Sequence, residues 1–332
     1  MAPRMDLASI VVAVLALGVL VIIHEGGHFV AARLAGMRPS KFSIGFGPAL
    51  YARQIGGTEL RVGAIPFGGY VQIDGMHPED GSDPGDPAAF VNRPRHLRAA
   101  AILAGPAANY LLAFLMLMVF YAGFAVEPLP PYRVDQVVDD GPAAAAGLKE
   151  GDVLVGTERG GEFSAYEDLG RVIDAAEGAP VTFRVERGEE TLEVPVAPKQ
   201  YGDAWRVGIR FVPLGSRPMD YGLGEAVSRA GSDLVKVSGL LVEGLASLVR
   251  GAEGVSVSGP VGIVNTLSTQ VERSFASAFR FVAHLSIMLG FFNLLSIPAL
   301  DGARLVFLAV GAVRRREVEP RLEAVVHGIG FL

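Results

Sequence analysis

The sequence contains no cysteine. Disulfides are thereby excluded, and so is a metal site built on thiolates, which leaves His, Asp and Glu as the plausible zinc donors. The missing cysteine does not fix the compartment. Basic residues are also in deficit: 29 Lys and Arg stand against 35 Asp and Glu, giving a formal net charge of −6 and a pI near 5.6. That balance offers no basic surface for nucleic acid, no zinc-finger spacing accompanies it, and nucleic-acid binding is set aside. Ionisable side chains are absent from Leu7 to Ile23 as well. Half of the 332 residues are hydrophobic and mean hydropathy is +0.38, high for a water-soluble globular chain. The chain reads as a membrane protein with a soluble insert.

At the end of the first apolar run stand His24-Glu25-Gly26-Gly27-His28. Two imidazoles four apart on a helix lie on one face, one turn from each other, so both reach one metal ion while Glu25 lies beside its open position. Zinc takes about three protein ligands and a water, and a nearby carboxylate can accept the water's proton as hydroxide attacks a peptide carbonyl. The motif predicts peptide hydrolysis. Leu7 to Ala32 exceeds the roughly 20 residues that span a hydrocarbon core. Ionisable groups at mid-membrane cost roughly 2.5–3.5 kcal/mol each on insertion scales, so three together imply a function. A signal peptide fits less well, because the run is longer than the usual ~7–15 residues and no small-residue cleavage site precedes the motif.

The sequence divides into seven regions. Residues 1–34 form the first transmembrane segment. Residues 35–96 form a loop carrying Arg33, Arg38, Lys41, Arg53, Arg61, Arg93, Arg95 and Arg98 along it or at its ends, against Arg4 alone before the first span. Positive residues favour the cytoplasm, which predicts the N-terminus outside and this loop, with the motif near it, towards the inside. Glycine-rich stretches at 45–48 and 65–71 beside alternating β-prone residues predict a hairpin dipping towards the motif, whose edge could pair with an extended substrate. His77 lies in an acidic Pro- and Gly-rich loop and reads as solvated. Residues 97–126 are the second span, where Gly105 allows close helix approach and a buried Asn109 needs a hydrogen-bonding partner. Residues 127–213 alternate short strands and helices. Residues 214–274 include an amphipathic helix over 221–248, expected on the outer membrane surface or against the soluble insert, and a turn at 258–263. Residues 275–313 are the third span, closed by Arg314-Arg315-Arg316. Residues 314–332 are the C-terminal region.

Two histidines do not complete a zinc site. Asp301 is the candidate third ligand, since it is the one acidic residue of the third apolar span and would be costly there without a cation. Pro298 must interrupt the helix just before it, and irregular backbone is tolerated at that depth where it lines a cavity or is buried in protein. A pairing of Asp301 with Arg304 is the competing reading, and His284 is a weaker ligand candidate. Asn293 could donate to a substrate carbonyl or its developing oxyanion.

Together the His24 to His28 motif, Gly105-Pro106 with Asn109, the insert's Pro142-Ala-x-x-Ala-Gly147-Leu-x-x-Gly-Asp152 pattern, Gly259 to Ile263 and Asn293 to Gly302 resemble a site-2 protease, most closely the bacterial envelope-stress branch with a PDZ domain outside the membrane. The resemblance implies an α-helical polytopic membrane protein with three evident transmembrane segments, a membrane-associated β-hairpin and an inserted extracytoplasmic PDZ-like α+β domain. It implies one Zn2+ per chain on His24, His28 and Asp301, with Glu25 as general base. Substrate binding is expected at Asn293, Asn109, Phe67, Gly68 and Gly69. The partners implied are the lipid bilayer of a bacterial inner membrane and single-span membrane proteins already trimmed by another protease, such as anti-sigma factors or signal-peptide-like segments. Two residues depart from the family pattern, Ser296 for a proline and Ala303 for a second glycine. The alternative is an inactive membrane scaffold that holds partners through its PDZ-like domain, against which the intact His24, Glu25, His28 and Asp301 argue. A metal transporter is disfavoured, since one buried acidic site does not make an ion pathway.

Overall fold

The computed structural model describes residues 7–76, 83, 85–165, 167–202, 204–251 and 259–316, with backbone alone for 7, 9, 66, 67 and 260. His77 lies outside them. The chain forms two compact units, residues 124–220 and the remainder.

Among the described residues of the larger unit, three helices are long and apolar enough to cross a membrane: α1 (Leu7–Leu34, apolar from Ile10), α2 (Arg95–Gly123) and α7 (Phe275–Leu294). This agrees with an integral membrane protein. α1 stops where Gly36 takes φ +69°, a backbone that favours glycine, and Arg93 Nε donates to the Ala35 carbonyl at 2.9 Å. α1 and α2 touch closely because Gly27 lacks a Cβ: one added there would strike the Ala104 carbonyl. The third apolar stretch is two helices, as Pro298 predicts. α7 ends at Leu294, residues 295–300 form a loop, and α8 (Asp301–Val313) begins at the aspartate itself.

The amphipathic segment is helix α5 (Leu223–Val249), and it lies against α2 and α7. Ala230, Leu234, Val237 and Leu241 join Ala113, Leu117, Ala283 and Ile287 in one apolar cluster. Its charge is satisfied inside that contact: Asp233 Oδ2 accepts from Tyr121 at 3.0 Å and sits 3.4 Å from His284 Nε2. Where a turn is expected, Pro260 opens α6 (Pro260–Arg273), because proline's fixed φ and missing N–H suit a first helical turn. Leu267 of α6 packs with Leu20 of α1 and Leu285 of α7.

Between α1 and α2 lies the expected hairpin, β1 (Pro39–Ile55) and β2 (Thr58–Ile73), joined at Gly56-Gly57 with φ of 57° and 83°. Both strands bend at glycines, so the pairings make four neighbouring segments in the order 49–55, 58–63, 41–46 and 65–73. Gly63 and Gly45 sit at the bends, where an added Cβ would meet the carbonyls of Phe46 and Ile65. The segment 69–73 is an outer edge. A short 3-10 turn (Phe90–Asn92) leads into α2.

The smaller unit has a sheet in the order β10 (Ile209–Pro218), β3 (Val126–Val137), β4 (Val153–Thr157), β6 (Val181–Arg187) and β7 (Glu190–Val196), with β5 (Gly161–Glu162) paired to β4. β8 (Lys199–Tyr201) and β9 (Ala204–Arg206) form a separate hairpin, and helices α3 (Pro142–Ala145) and α4 (Glu167–Ala175) complete the unit. Alternate strand residues Tyr132, Val134, Leu154, Phe183 and Val185 fill the core with Leu169 and Ile173 of α4. It is an α+β domain, as expected of the insert.

Candidate metal and catalytic site

His24 and His28 meet edge to face on α1, with ring centroids 4.8 Å apart, and are 6% and 5% exposed. Their Nε2 atoms are 3.2 Å apart, and each is 3.1 Å from Asp301 Oδ2 at the start of α8. The loop before α8 makes this possible. Ala299 takes φ +73°, and Gly302 fits where an added Cβ would collide with the carbonyls of Leu294 and Leu295. The glycine after the aspartate is therefore a steric requirement of the turn that delivers Asp301. Among the described residues these three are the group of His, Asp or Glu side chains able to share one metal ion.

The donor set fits zinc. A tetrahedral zinc with bonds of about 2.0–2.1 Å holds its ligand atoms roughly 3.3–3.4 Å apart, close to the triangle formed by the three atoms. The ring of His28 is already set for that role: Nδ1 donates to the Ala101 carbonyl at 2.8 Å, which leaves Nε2 with its lone pair facing Asp301. Gly105 gives the ring its room, since a Cβ there would overlap His28 Nε2.

Glu25, next to His24 on α1, meets the hairpin. Its Oε2 accepts the Val71 N–H at 2.9 Å, from the outer edge of β2. Gly68 and Gly69 lie on the same strand, where Cβ atoms would press on the Phe46 ring and the Ser43 carbonyl. Phe67 is on β2, and its side chain is outside the described set. A pocket of about 310 Å³ opens beside Gly26, between Phe29 and Val30 of α1 and Phe42, Ile44 and Leu60 of the hairpin.

Other predicted residues stand elsewhere. Asn109 is fully buried; its amide lies 3.1 Å from His24 Nδ1, and Ser286 of α7 donates to its backbone carbonyl at 2.9 Å. Asn293 donates to Leu289 O of its own helix at 2.9 Å. His284 sits by Asp233 and outside the three-residue cluster. Asp301 faces the histidines, while Arg304 reaches the Met76 carbonyl at 3.4 Å. The contributions of Val71 and Ala101 escape sequence reading, because a backbone N–H or C=O has no residue signature; the close fit at Gly105 was signalled only as helix approach.

A model of Peptidase family M50 matches residues 12–332. The chain is 34% identical over 336 residues to a protein of Nostoc sp. named "Putative zinc metalloprotease", covering 98% of this chain and 92% of that one. A protein of the same name from Agrobacterium fabrum is 32% identical, with 96% and 90% covered. Another from Clostridium perfringens is 30% identical, with 97% and 94% covered. Matches of this extent agree with the motifs, the three apolar helices and the clustered donors. The chain therefore belongs to peptidase family M50, the site-2 protease family, and is a membrane metalloprotease.

Proposed function

We propose that the protein is an intramembrane zinc endopeptidase in which His24, His28 and Asp301 hold the metal, Glu25 is the general base, and the substrate is an apolar transmembrane segment. The observation that carries this reading is the convergence of three ligand atoms from α1 and α8, 3.1–3.2 Å from one another, next to Glu25. Bound there, zinc would act as a Lewis acid and make a water nucleophilic at neutral pH. Glu25 takes a proton at Oε1, since Oε2 is engaged by Val71, and delivers it to the leaving amine nitrogen. The outer edge of residues 69–73 seats the substrate as an added strand, with recognition carried by main-chain hydrogen bonds. That is why an apolar segment of varied sequence is the substrate class.

The residues 127–213 act as a PDZ-like module that screens or holds substrates. The Pro142 to Asp152 pattern and the α+β build support this, with β10 offering an outer strand for a peptide. The basic loop between the first two spans supports an orientation with the metal site towards the cytoplasm and the smaller unit outside a bacterial inner membrane. Substrates are then single-span proteins trimmed beforehand by another protease, as in stress signalling through anti-sigma factors.

The test is cleavage of a single-span substrate by the purified chain in detergent, with bound zinc measured in the native form and in Glu25→Gln. The expected result is about one zinc per chain in both, with cleavage lower by about 10²–10⁴ in the variant. Zinc without cleavage in either form favours the scaffold reading, and a native chain without zinc overturns the catalytic assignment.

A further inference from the structure

His24 Nε2 points at Asp301 and His28, and Nδ1 points the opposite way, at Asn109. A neutral imidazole that gives its Nε2 lone pair to a metal carries its proton on Nδ1, and that N–H needs an acceptor. For His28 the acceptor is Ala101 O. For His24 the facing side chain is the amide of Asn109, at 3.1 Å. With Nδ2 towards the ring, the amide leaves Oδ1 buried without a hydrogen bond. An amide N–H given to Nδ1 would force the ring's proton onto Nε2, where it would block metal binding. A half-turn of the amide exchanges the two atoms in the same space and sets the unpartnered oxygen against Nδ1.

We propose that Asn109 is a positioning residue of the metal site: its Oδ1 accepts the Nδ1–H of His24, fixing the ring's tautomer and plane. This rests on the reading of His24 as a ligand. Two further features suit the role. Asn109 is fully buried, so no water competes for the imidazole N–H, and its backbone carbonyl is tied to Ser286, which links the ligand helix α1 through α2 to α7. The two ligand histidines are thus oriented by acceptors two turns apart on the same face of α2, a backbone carbonyl at 101 and a side-chain amide at 109.

The experiment is zinc affinity by competition with a chromophoric chelator, using the full chain in detergent, for the native form, Asn109→Leu, Asn109→Asp and His24→Ala. Asn109→Leu keeps the volume and removes the acceptor, and zinc should bind about 10–100-fold more weakly. Asn109→Asp keeps an acceptor and should bind zinc at least as tightly as the native chain. Unfolding of the metal-free forms separates this from a packing role, which would lower thermal stability and leave affinity unchanged. If Asn109→Leu does not fold, nitrogen NMR of the histidine-labelled native protein decides: a protonated Nδ1 on His24 supports the inference, and a bare Nδ1 overturns it. Native affinity in a folded Asn109→Leu also overturns it and leaves the ligand assignment standing. A native chain that binds no zinc, or a His24→Ala variant that still binds it, overturns the ligand reading instead.

Discussion

Asp152 in the smaller unit and Asp301 in the membrane unit are both withdrawn from water, and their surroundings differ in kind. Asp152 is 1% exposed, and Arg187 grips both its oxygens at 2.7 Å while the Lys149 N–H donates at 2.8 Å. Burial pushes its carboxyl up, yet these donors outweigh that and hold it below the usual carboxylate range. Asp301 meets two imidazole nitrogens. One carboxylate is completed by a cation the chain itself supplies, and the other, with the two imidazoles, forms a group that could hold a metal ion. The first arrangement maintains a fold, and the second suits a metal site.

The sharpest way to break this contrast is to disturb each carboxylate or its surroundings in turn. Asp301→Ala should abolish both zinc binding and cleavage while the protein stays folded, as read by metal content and circular dichroism; retained stoichiometric zinc would dissolve the distinction. Gly105→Ala comes next. Its Cβ must displace the His28 ring, so zinc affinity should fall by an amount in the roughly 10–100-fold range of ligand-orienting changes, with chelator competition as the measurement. In the other unit, Arg187→Leu should lower stability, because the buried Asp152 carboxylate loses the donor to both its oxygens. Denaturant melts would show the loss, and zinc content should not change.

The smallest effect is one of pH. Because the folded-state pKa of Asp152 is depressed, its contribution is complete above the unfolded value near 3.8 and is lost as pH falls through the lower folded value. The stability gap between the native chain and Asp152→Asn should therefore be widest near neutral pH and close in acid. A gap that widened in acid would reverse the assigned sign.

Much of the site could be read from residue spacing. His24 and His28 announce a shared face, and Asp301 stands out as a carboxylate in an apolar stretch broken by Pro298. Spacing could not show what turns those side chains, since the Val71 N–H and the Ala101 carbonyl are common to every residue type. Asn109 reads as a buried amide in need of a partner, and spacing does not name that partner, which stands 85 positions away. The placement of α5 was obscured for a related reason. Asp233 looks like a residue for water until Tyr121 and His284 are brought to it by α2 and α7. In the smaller unit, strand alternation carried the α+β reading, because one face of each strand enters a single core.

The bond between Val71 and Glu25 ties the proton acceptor to one fixed rung of an edge strand. A substrate strand added to this edge, as proposed, would find the Val71 N–H already taken, so the bond that fixes the Glu25 carboxylate also withholds one donor from the edge.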